Sequence, residues 1–280
     1  MPRSLLVFTV LVYQFFLPVL GFPQTPAAPP AEGQSKEQAE KFAGEPYVIE
    51  FLSTKIRFEN DGTGIIESYI RVRIQSESAL TVFGLLSFPY MSDSQEFHFD
   101  AVRVQKAGGA LVTTPLDAAQ DITADVTRAA PLYTDLHEKH LAVKGLSVGD
   151  TLEIQDHLLI RKAVTTGQFW YSRDFFHDGI VLRDEVEINL PRERPVKILC
   201  SKAPAAVTEE GGRRITVYRT SHLEKKPAAK SKWEKALEEP PPPAIQITSF
   251  QSWDEVARWY DSLQKPQLQI SPDIRARPKS

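Results

Sequence analysis

The sequence predicts an all-β fold, an antiparallel β-sandwich with very little helix. Apolar and polar residues alternate in several runs, and a strand with one buried face repeats every two residues. Turn signals built from Gly, Asn and Asp separate these runs. Almost no helical pattern lies between them, which favours antiparallel sheets over alternating strands and helices.

The N-terminal residues are typical of an export signal. A basic start precedes an apolar run from Leu5 to Leu20, and small residues lie near Gly21. The run is shorter than the roughly 20 residues of a spanning helix. We therefore predict a signal peptide over residues 1–21 and a proline-rich linker over 22–46. The protein is then periplasmic or extracellular, with no stable membrane span after cleavage.

Composition restricts the kind of protein further. The single cysteine, Cys200, excludes an intramolecular disulfide, so the fold must be stabilised by its hydrophobic core. The formal net charge is −3, and a mildly acidic chain lacks the basic surface that binds nucleic acid. We therefore expect no nucleic-acid partner.

The clearest strands of the predicted sandwich, residues 47–223, form its first hairpin. Tyr47 to Phe58 is rich in β-branched and aromatic residues. Asn60-Asp61-Gly62 then supplies the positive φ that a hairpin turn needs. Apolar residues from Ile66 to Ile74 alternate with charged ones, which predicts a second strand with one wet face.

The remaining strands are bounded by turn residues. A phase switch between Phe99 and Val102 predicts a β-bulge within one of them. Thr114 to Pro131 shows no steady periodicity, which predicts a long connection. The other predicted strands cover Leu80–Phe88, Phe97–Val104, Ala110–Thr113, Ile180–Leu190, Val196–Cys200 and Arg214–Thr220.

The stretch from His140 to Arg161 is predicted to form an antiparallel pair of strands at the middle of the domain. Residues from Leu152 to Ile160 alternate, although Asp156 interrupts the apolar row. The connecting segment contains Gly145-Leu146-Ser147-Val148-Gly149, which matches the Gly-x-Ser-x-Gly pattern of serine hydrolases. That pattern requires a helix after the serine, whereas a strand pattern follows here. We therefore predict a turn.

Four residues of metal-ligating type lie close together in the sequence. They are Asp135, His137, Glu138 and His140. On a strand, the odd spacing of the two histidines places them on opposite faces, and no third ligand has a telling spacing. We expect solvated loop residues, with no metal and no other cofactor.

Cys200 is the residue to weigh against a Cys-His-Asp mechanism. A catalytic cysteine usually lies at a helix N-terminus beside a histidine, which stabilises the thiolate. Cys200 instead ends an apolar strand, where a free cysteine behaves as a small hydrophobic residue. We predict no catalytic residue and no enzymatic activity for this chain.

An aromatic cluster follows the central pair of strands and supplies the candidate ligand contacts. These side chains form either a stacking platform for a peptide or glycan or a part of the core, because aromatic residues beside strands bury large areas. The candidates are Phe169, Trp170, Tyr171, Phe175 and Phe176.

Residues 224–280 combine a proline-rich linker with a short helix. Pro240 to Pro243 form a stiff spacer, and Ser252-Trp253-Asp254-Glu255 is a capping box. Apolar residues from Val256 to Leu263 follow at helical spacing, and no later segment is suited to cover them. We expect this helix to lead to a domain that the chain lacks.

The order of these motifs resembles the N-terminal β domain that precedes the catalytic core in exported bacterial transglutaminase-like proteins. The resemblance covers Tyr47 to Leu263. The matching stretches are Asp61–Thr63, Phe97–Gly109, Leu146–Ile154, Phe169–Trp170, Phe175–Phe176 and Ile247–Trp253.

The resemblance implies a non-catalytic module that positions or recognises protein or peptide, with the Cys-His-Asp set in the core that follows. One alternative is the inactive N-terminal part of a cysteine-dependent peptidase or amide-transfer enzyme. Another is a module that binds envelope glycan.

Overall fold

The computed structural model describes residues 41–224 and 242–268. The chain divides into two compact units, residues 1–41 and 42–280, and all described residues except Lys41 belong to the second. The signal peptide and most of both proline-rich linkers lie outside the described residues. Within the described part, no helix has the length and apolar character to cross a membrane.

The described residues form strands and a few short helices. The strands are β1 Tyr47–Phe58, β2 Gly64–Ile74, β3 Leu85–Met91, β4 Gln95–Gln105, β5 Leu111–Thr113, β6 Gln120–Thr123, β7 Leu136–Ala142, β8 Thr151–Ile160, β9 Trp170–Arg173, β10 Ile180–Pro191, β11 Lys197–Cys200, β12 Ala205–Glu210, β13 Arg213–His222 and β14 Ile245–Thr248. The α-helices are α1 Glu77–Phe83, α2 Asp125–Ala129 and α3 Trp253–Gln267, and Leu116–Ala118 forms a 3-10 turn.

The strands form one large sheet and two small ones, which confirms the predicted fold class. The large sheet has the order β12-β13-β10-β1-β2-β8-β4-β5, and the small sheets have the orders β3-β7-β6 and β11-β14-β9. Neighbouring strands are antiparallel except β1 and β10, which are parallel. This one parallel pair departs from the antiparallel pattern, because the long chain between β1 and β10 acts as a crossover.

The large sheet buries one face against two separate apolar cores. The first core lies under β3-β7-β6 and includes Leu52, Val104 and Leu141. The second lies under β9-β14-β11 and includes Ile188 and Ile245. Burying a side chain of this size stabilises the fold by about 1.5–3 kcal/mol. A chain with one cysteine is thus stabilised mainly by these two cores.

The predicted first hairpin and the predicted bulge are both confirmed. The backbone N–H and the hydroxyl of Thr63 donate to the Asp61 carboxylate in the β1–β2 turn. Gly62 has a φ of +86°, and a Cβ there would lie 2.4 Å from the Gln168 carbonyl oxygen. Only glycine fits this position. In β4, the register with β8 shifts between Phe99 and Ala101, as the phase switch predicted.

Two predicted segments have a different local structure. Leu80–Phe88 was expected to be one strand, but α1 ends at Phe83 and β3 begins at Leu85. A short apolar run without alternation fits either structure, and packing on the first core decides it. The expected long connection from Thr114 to Pro131 contains β6 and α2.

The predicted pairing of the two central strands is wrong. β8 has the expected alternation, but it pairs with β2 and β4, whereas β7 pairs with β3 and β6 in another sheet. The turn between them therefore carries the chain from one layer to the other. The short strands β9, β12 and β14 were not predicted either; β14 alternates, but over only four residues.

Candidate functional site

The predicted aromatic contacts do not form one exposed platform. The Phe169 ring is 3% exposed and stacks on Phe58 with ring centroids 4.3 Å apart. Phe175 is also buried in the second core. Of the two alternatives left open by the sequence, these two residues take the place in the core, because the alternation of β9 continues back to Phe169 and turns it inwards, and apolar packing covers Phe175.

The three other aromatic residues occupy different environments. Tyr171 packs against the second core, and burial raises the pKa of its hydroxyl. Phe176 packs against the first core. Trp170 is 44% exposed, on the opposite face of β9 from Tyr171. Of the five predicted contacts, Trp170 is thus the one whose side chain is placed to meet a partner.

Trp170 belongs to an aromatic cluster that joins α3 to the domain. Its ring centroid lies 5.5 Å from that of Trp259 and 6.0 Å from that of Phe250, and the latter two are 5.8 Å apart. The sequence predicted the apolar stripe of α3 that contains Trp259, but it did not predict the contact of Trp259 with Trp170. The two tryptophans are far apart in the chain, so no local pattern connects them.

Large apolar side chains extend outwards from this cluster. Trp253 is 85% exposed, and Tyr260 and Leu263 of α3 are also exposed. Leu199 is exposed on β11, and alternation places it on the same outer face of its small sheet as Trp170 on β9. We call Trp170, Leu199, Trp253, Tyr260 and Leu263 the aromatic surface. Exposed apolar patches of this kind mark interaction sites.

A shallow groove of about 380 Å³ follows the outer face of β9-β14-β11. Its floor is made by alternate residues, because successive side chains of a strand point to opposite faces. Trp170, Thr248 and Lys197 form one cross-strand row, while Ser172, Gln246 and Leu199 form the next. The Lys197 ammonium donates to the Gln251 carbonyl at 2.6 Å, which leaves hydroxyl, amide and apolar groups on the floor.

Helix α3 begins as the capping box predicted, with one difference. The Ser252 hydroxyl accepts from the Glu255 backbone N–H at 3.2 Å. The Glu255 carboxylate accepts from the Gln251 backbone N–H, one residue before the expected Ser252. Val256 and Trp259 are half-buried, and most of the helix is exposed. One side of the helix is therefore anchored by a small contact while the aromatic surface stays open.

Ser147 lies in a turn, as predicted. Asp150 is buried, and its carboxylate accepts from the Ser147 backbone N–H at 2.8 Å and from the Lys106 ammonium. Gly145 and Gly149 take positive φ values of 71° and 91°. Strand β8 follows, not a helix, so the hydroxyl lacks the setting of a nucleophile elbow.

The residues of metal-ligating type form pairs on opposite faces of β7. His137 Nδ1 lies 2.7 Å from the Asp121 carboxylate, and His140 Nε2 lies 2.7 Å from the Glu138 carboxylate. Burial raises the pKa of Asp121, but hydrogen bonds from Lys139, Tyr90 and His137 outweigh it and lower the value to about 2. Over the described ranges, no group of three His, Cys, Asp or Glu side chains could hold a metal ion.

Cys200 is the last residue of β11 and packs against the second core. His177 and His222, the histidines nearest to it in the sequence, have other contacts. His177 Nδ1 donates to the Phe175 carbonyl at 3.1 Å, and His222 Nδ1 donates to the Gly179 carbonyl at 2.9 Å. Both histidines thus bind backbone carbonyl groups and stabilise the local chain conformation.

The comparison with protein families identifies the domain. Residues 60–227 match DUF3857, described as a domain of unknown function with a solved structure. The chain belongs to this family. No curated protein matches it.

A solved structure shares the fold of this DUF3857 protein. A candidate protease from Parabacteroides distasonis ATCC 8503 matches with a TM-score of 0.66 and 16% identity, over 78% of this chain and 43% of that one. The chain thus spans less than half of that structure. An M1 zinc metallopeptidase from Deinococcus radiodurans matches with a TM-score of 0.34 and 6% identity, over 73% of this chain and 42% of that one.

Proposed function

We propose that this chain is a non-catalytic β module that positions or recognises a protein partner. The partner is a transglutaminase-like or peptidase-like catalytic domain, which packs on the aromatic surface. The exposure of Trp253, Tyr260 and Leu263 on the helix that follows the last described strand carries this proposal. Large aromatic side chains that become fully buried dominate the energetics of protein interfaces.

The choice of partner is supported by the size of the matched protease and by the resemblance in the sequence. The shared fold accounts for 43% of that longer chain, so the same β domain occurs there beside further structure. The motif order from Tyr47 to Leu263 resembles the domain before a transglutaminase-like core. Both support the proposal that a further domain adjoins a β module of this kind.

The non-catalytic assignment is supported by the surroundings of the two nucleophile candidates. Cys200 lies at the end of β11 against apolar side chains, and Ser147 lies in a turn stabilised by Asp150. Neither arrangement provides a general base together with oxyanion donors, and acyl transfer needs both. We further propose export to the periplasm or the outside of the cell, supported by the apolar run from Leu5 to Leu20.

The test is binding to separately produced cores of the exported bacterial transglutaminase-like proteins that the sequence resembles, measured by calorimetry. We expect binding that Trp253→Ala combined with Tyr260→Ala weakens at least about tenfold, the effect of a lost hot-spot residue. Leu111→Ala is the matched control, because Leu111 is equally exposed but lies on β5. Absence of binding to every core, or an equal loss in the control variant, would contradict the proposal.

A module that binds envelope glycan is the second candidate, favoured by one observation. Trp170 borders a groove whose floor carries Ser172, Gln246 and Thr248, and sugars bind where an aromatic face meets polar groups. Peptidoglycan fragments in the same calorimeter separate the two functions. Glycan binding that Trp170→Ala abolishes, without binding to any core, would favour this second candidate.

A further inference from the structure

A row of polar side chains divides the first core from the second. Asp156 of β8 lies opposite Ser68 of β2, and Ser68 lies opposite Thr54 of β1. Asp156 and Thr54 are each only 4% exposed. We call these three residues the polar row.

The neighbours of the polar row belong to different cores. On β1, Leu52 belongs to the first core and Ile56 to the second. On β8, Ile154 belongs to the first core, and Leu158 contacts both. The row therefore follows the boundary between two regions of packing, which Leu158 bridges on one side.

One end of the row has a compensating cation. The Arg173 guanidinium donates to the Thr54 hydroxyl, and its Nη2 lies 3.9 Å from the Asp184 carboxylate. Asp184 is buried and also accepts from the Phe176 backbone N–H at 3.1 Å. Burial raises the pKa of Asp184, while Arg173 opposes the rise. This carboxyl group thus has a charged partner nearby.

The carboxyl group of Asp156 has a weaker set of partners. Its Oδ2 is buried and makes no hydrogen bond to a described residue. Burial is the main reason that its pKa is raised to about 7; the Asp100 charge adds to the rise, while a hydrogen bond with Ser68 and the charge of His157 oppose it. Phe99 occupies the neighbouring position on β4.

The charged groups near Asp156 lie on the opposite face of the same strands. Asp100 lies within the bulge of β4, and its carboxylate is hydrogen-bonded to His157 Nδ1 at 2.9 Å. The His157 ring stacks on His98 with centroids 5.0 Å apart. The outer ring of charges is completed by Glu96, 3.6 Å from His98 and 2.7 Å from Arg161, and by Glu67, the β2 residue opposite His157.

We propose that the protonation state of Asp156 controls how tightly the chain packs at the boundary between the two cores. A protonated carboxyl group lets the boundary close around it, whereas a carboxylate opens the β4–β8 pair to water. The geometry supports this, because the carboxyl group of Asp156, which is not paired with a cation among the described residues, lies at a boundary between two regions of packing. The bulge next to it adds an irregular site in the same pair of strands.

The sign of the pH dependence follows from the raised pKa. The folded protein holds the Asp156 proton more tightly than the unfolded chain, so ionisation favours unfolding. The stabilising effect of the proton is complete below the ordinary aspartate pKa near 4 and is lost as the pH rises to about 7.

The experiment is chemical unfolding of the wild type and Asp156→Asn at pH 5 and pH 8. For the wild type, this group raises the unfolding equilibrium constant by about a hundredfold between the two pH values. Asp156→Asn removes that increase, because an amide does not ionise. Glu67→Gln is the control and keeps it, since Glu67 lies on the exposed face. The same pH dependence in the wild type and Asp156→Asn would overturn the proposal.

A second measurement needs no variant and guards against a failure of Asp156→Asn to fold. Hydrogen exchange of the wild type, corrected for the intrinsic pH effect, is compared at the same two pH values. Amides of β4 and β8 near Phe99 and Asp156 should lose protection at pH 8, while those in the β1–β10 pair keep it. Uniform behaviour of both pairs would also overturn the proposal.

Discussion

The two small sheets cover the same face of the large sheet, yet their outer faces differ. On β3-β7-β6, the outer face carries polar contacts such as Ser87 to Glu138 and Glu138 to His140. On β9-β14-β11, it carries Trp170 and Leu199 and continues into α3. Leu85 is also exposed on the outer face of the first small sheet, whereas the second carries Trp170 and Leu199 beside the exposed side chains of α3. On this difference we propose that a partner would bind the second half.

The largest expected effect is the loss of stability when a buried side chain is truncated in either core. Leu141→Ala in the first core and Ile245→Ala in the second should each lower the free energy of unfolding by about 3 kcal/mol. Both side chains are almost fully buried under the same large sheet. Urea unfolding measures both, and Leu111→Ala at an exposed position is the control. If Ile245→Ala had no effect, β9-β14-β11 would not share the cooperative unit.

The attachment of α3 provides the next test. Trp259→Ala removes its ring contacts with Trp170 and Phe250, which should weaken docking of the helix by about 1 kcal/mol. Hydrogen exchange in α3 should become faster while global unfolding changes little. Trp253→Ala is the matched control, since that ring is exposed. Equal exchange in the two variants would show that the cluster does not anchor the helix.

Asp121 in the first half should show a pH dependence opposite to that of Asp156. Its pKa is lowered to about 2, so its stabilising effect is present above the ordinary value and is lost as the pH falls towards 2. Because the carboxylate is partly exposed and screened, we expect Asp121→Asn to cost about 1 kcal/mol at pH 7. The free energy of unfolding is measured from pH 7 to pH 3 for the wild type, for Asp121→Asn and, as a control, for Glu138→Gln. A constant difference from wild type over that range would contradict the expectation.

The smallest effect concerns the first turn of α3. Ser252→Ala removes the acceptor for the Glu255 backbone N–H and should cost about 0.5–1 kcal/mol of helix stability. The hydrogen-exchange rate of the Glu255 amide measures this loss of helix stability. Ser262→Ala lies in the same helix but outside the cap and serves as the control. Slower exchange at Glu255 in Ser252→Ala would exclude the capping role.

Local patterns predicted those parts of the fold that depend on neighbouring residues. The β1–β2 hairpin follows from the Asp61-Gly62-Thr63 turn, and the β4 bulge follows from the phase switch after Phe99. Asp156 was visible as an interruption of the apolar row in β8. Its position between two cores was not, because that depends on which strands lie beside β8.

Contacts between distant segments explain what the sequence did not reveal. β7 joins a different sheet from β8, and Trp170 meets Trp259 across most of the C-terminal half of the chain. Neither contact leaves a periodic signal. Phe169 and Trp170 are adjacent and equally aromatic, so only the orientation of β9 determines which of them is buried.

The parallel pairing of β1 with β10 determines the order in which the domain is completed during synthesis. Val48 pairs with Ile180 and Ile56 with Ile188, so one edge of β1 has no partner until β10 has been made. Such distant pairing slows folding, because a long loop must close before the contact forms. Until then, the β1–β2 hairpin offers an open edge to other chains, and unpaired edges promote aggregation. The nascent chain therefore benefits from being kept unfolded until residues beyond Pro191 have emerged.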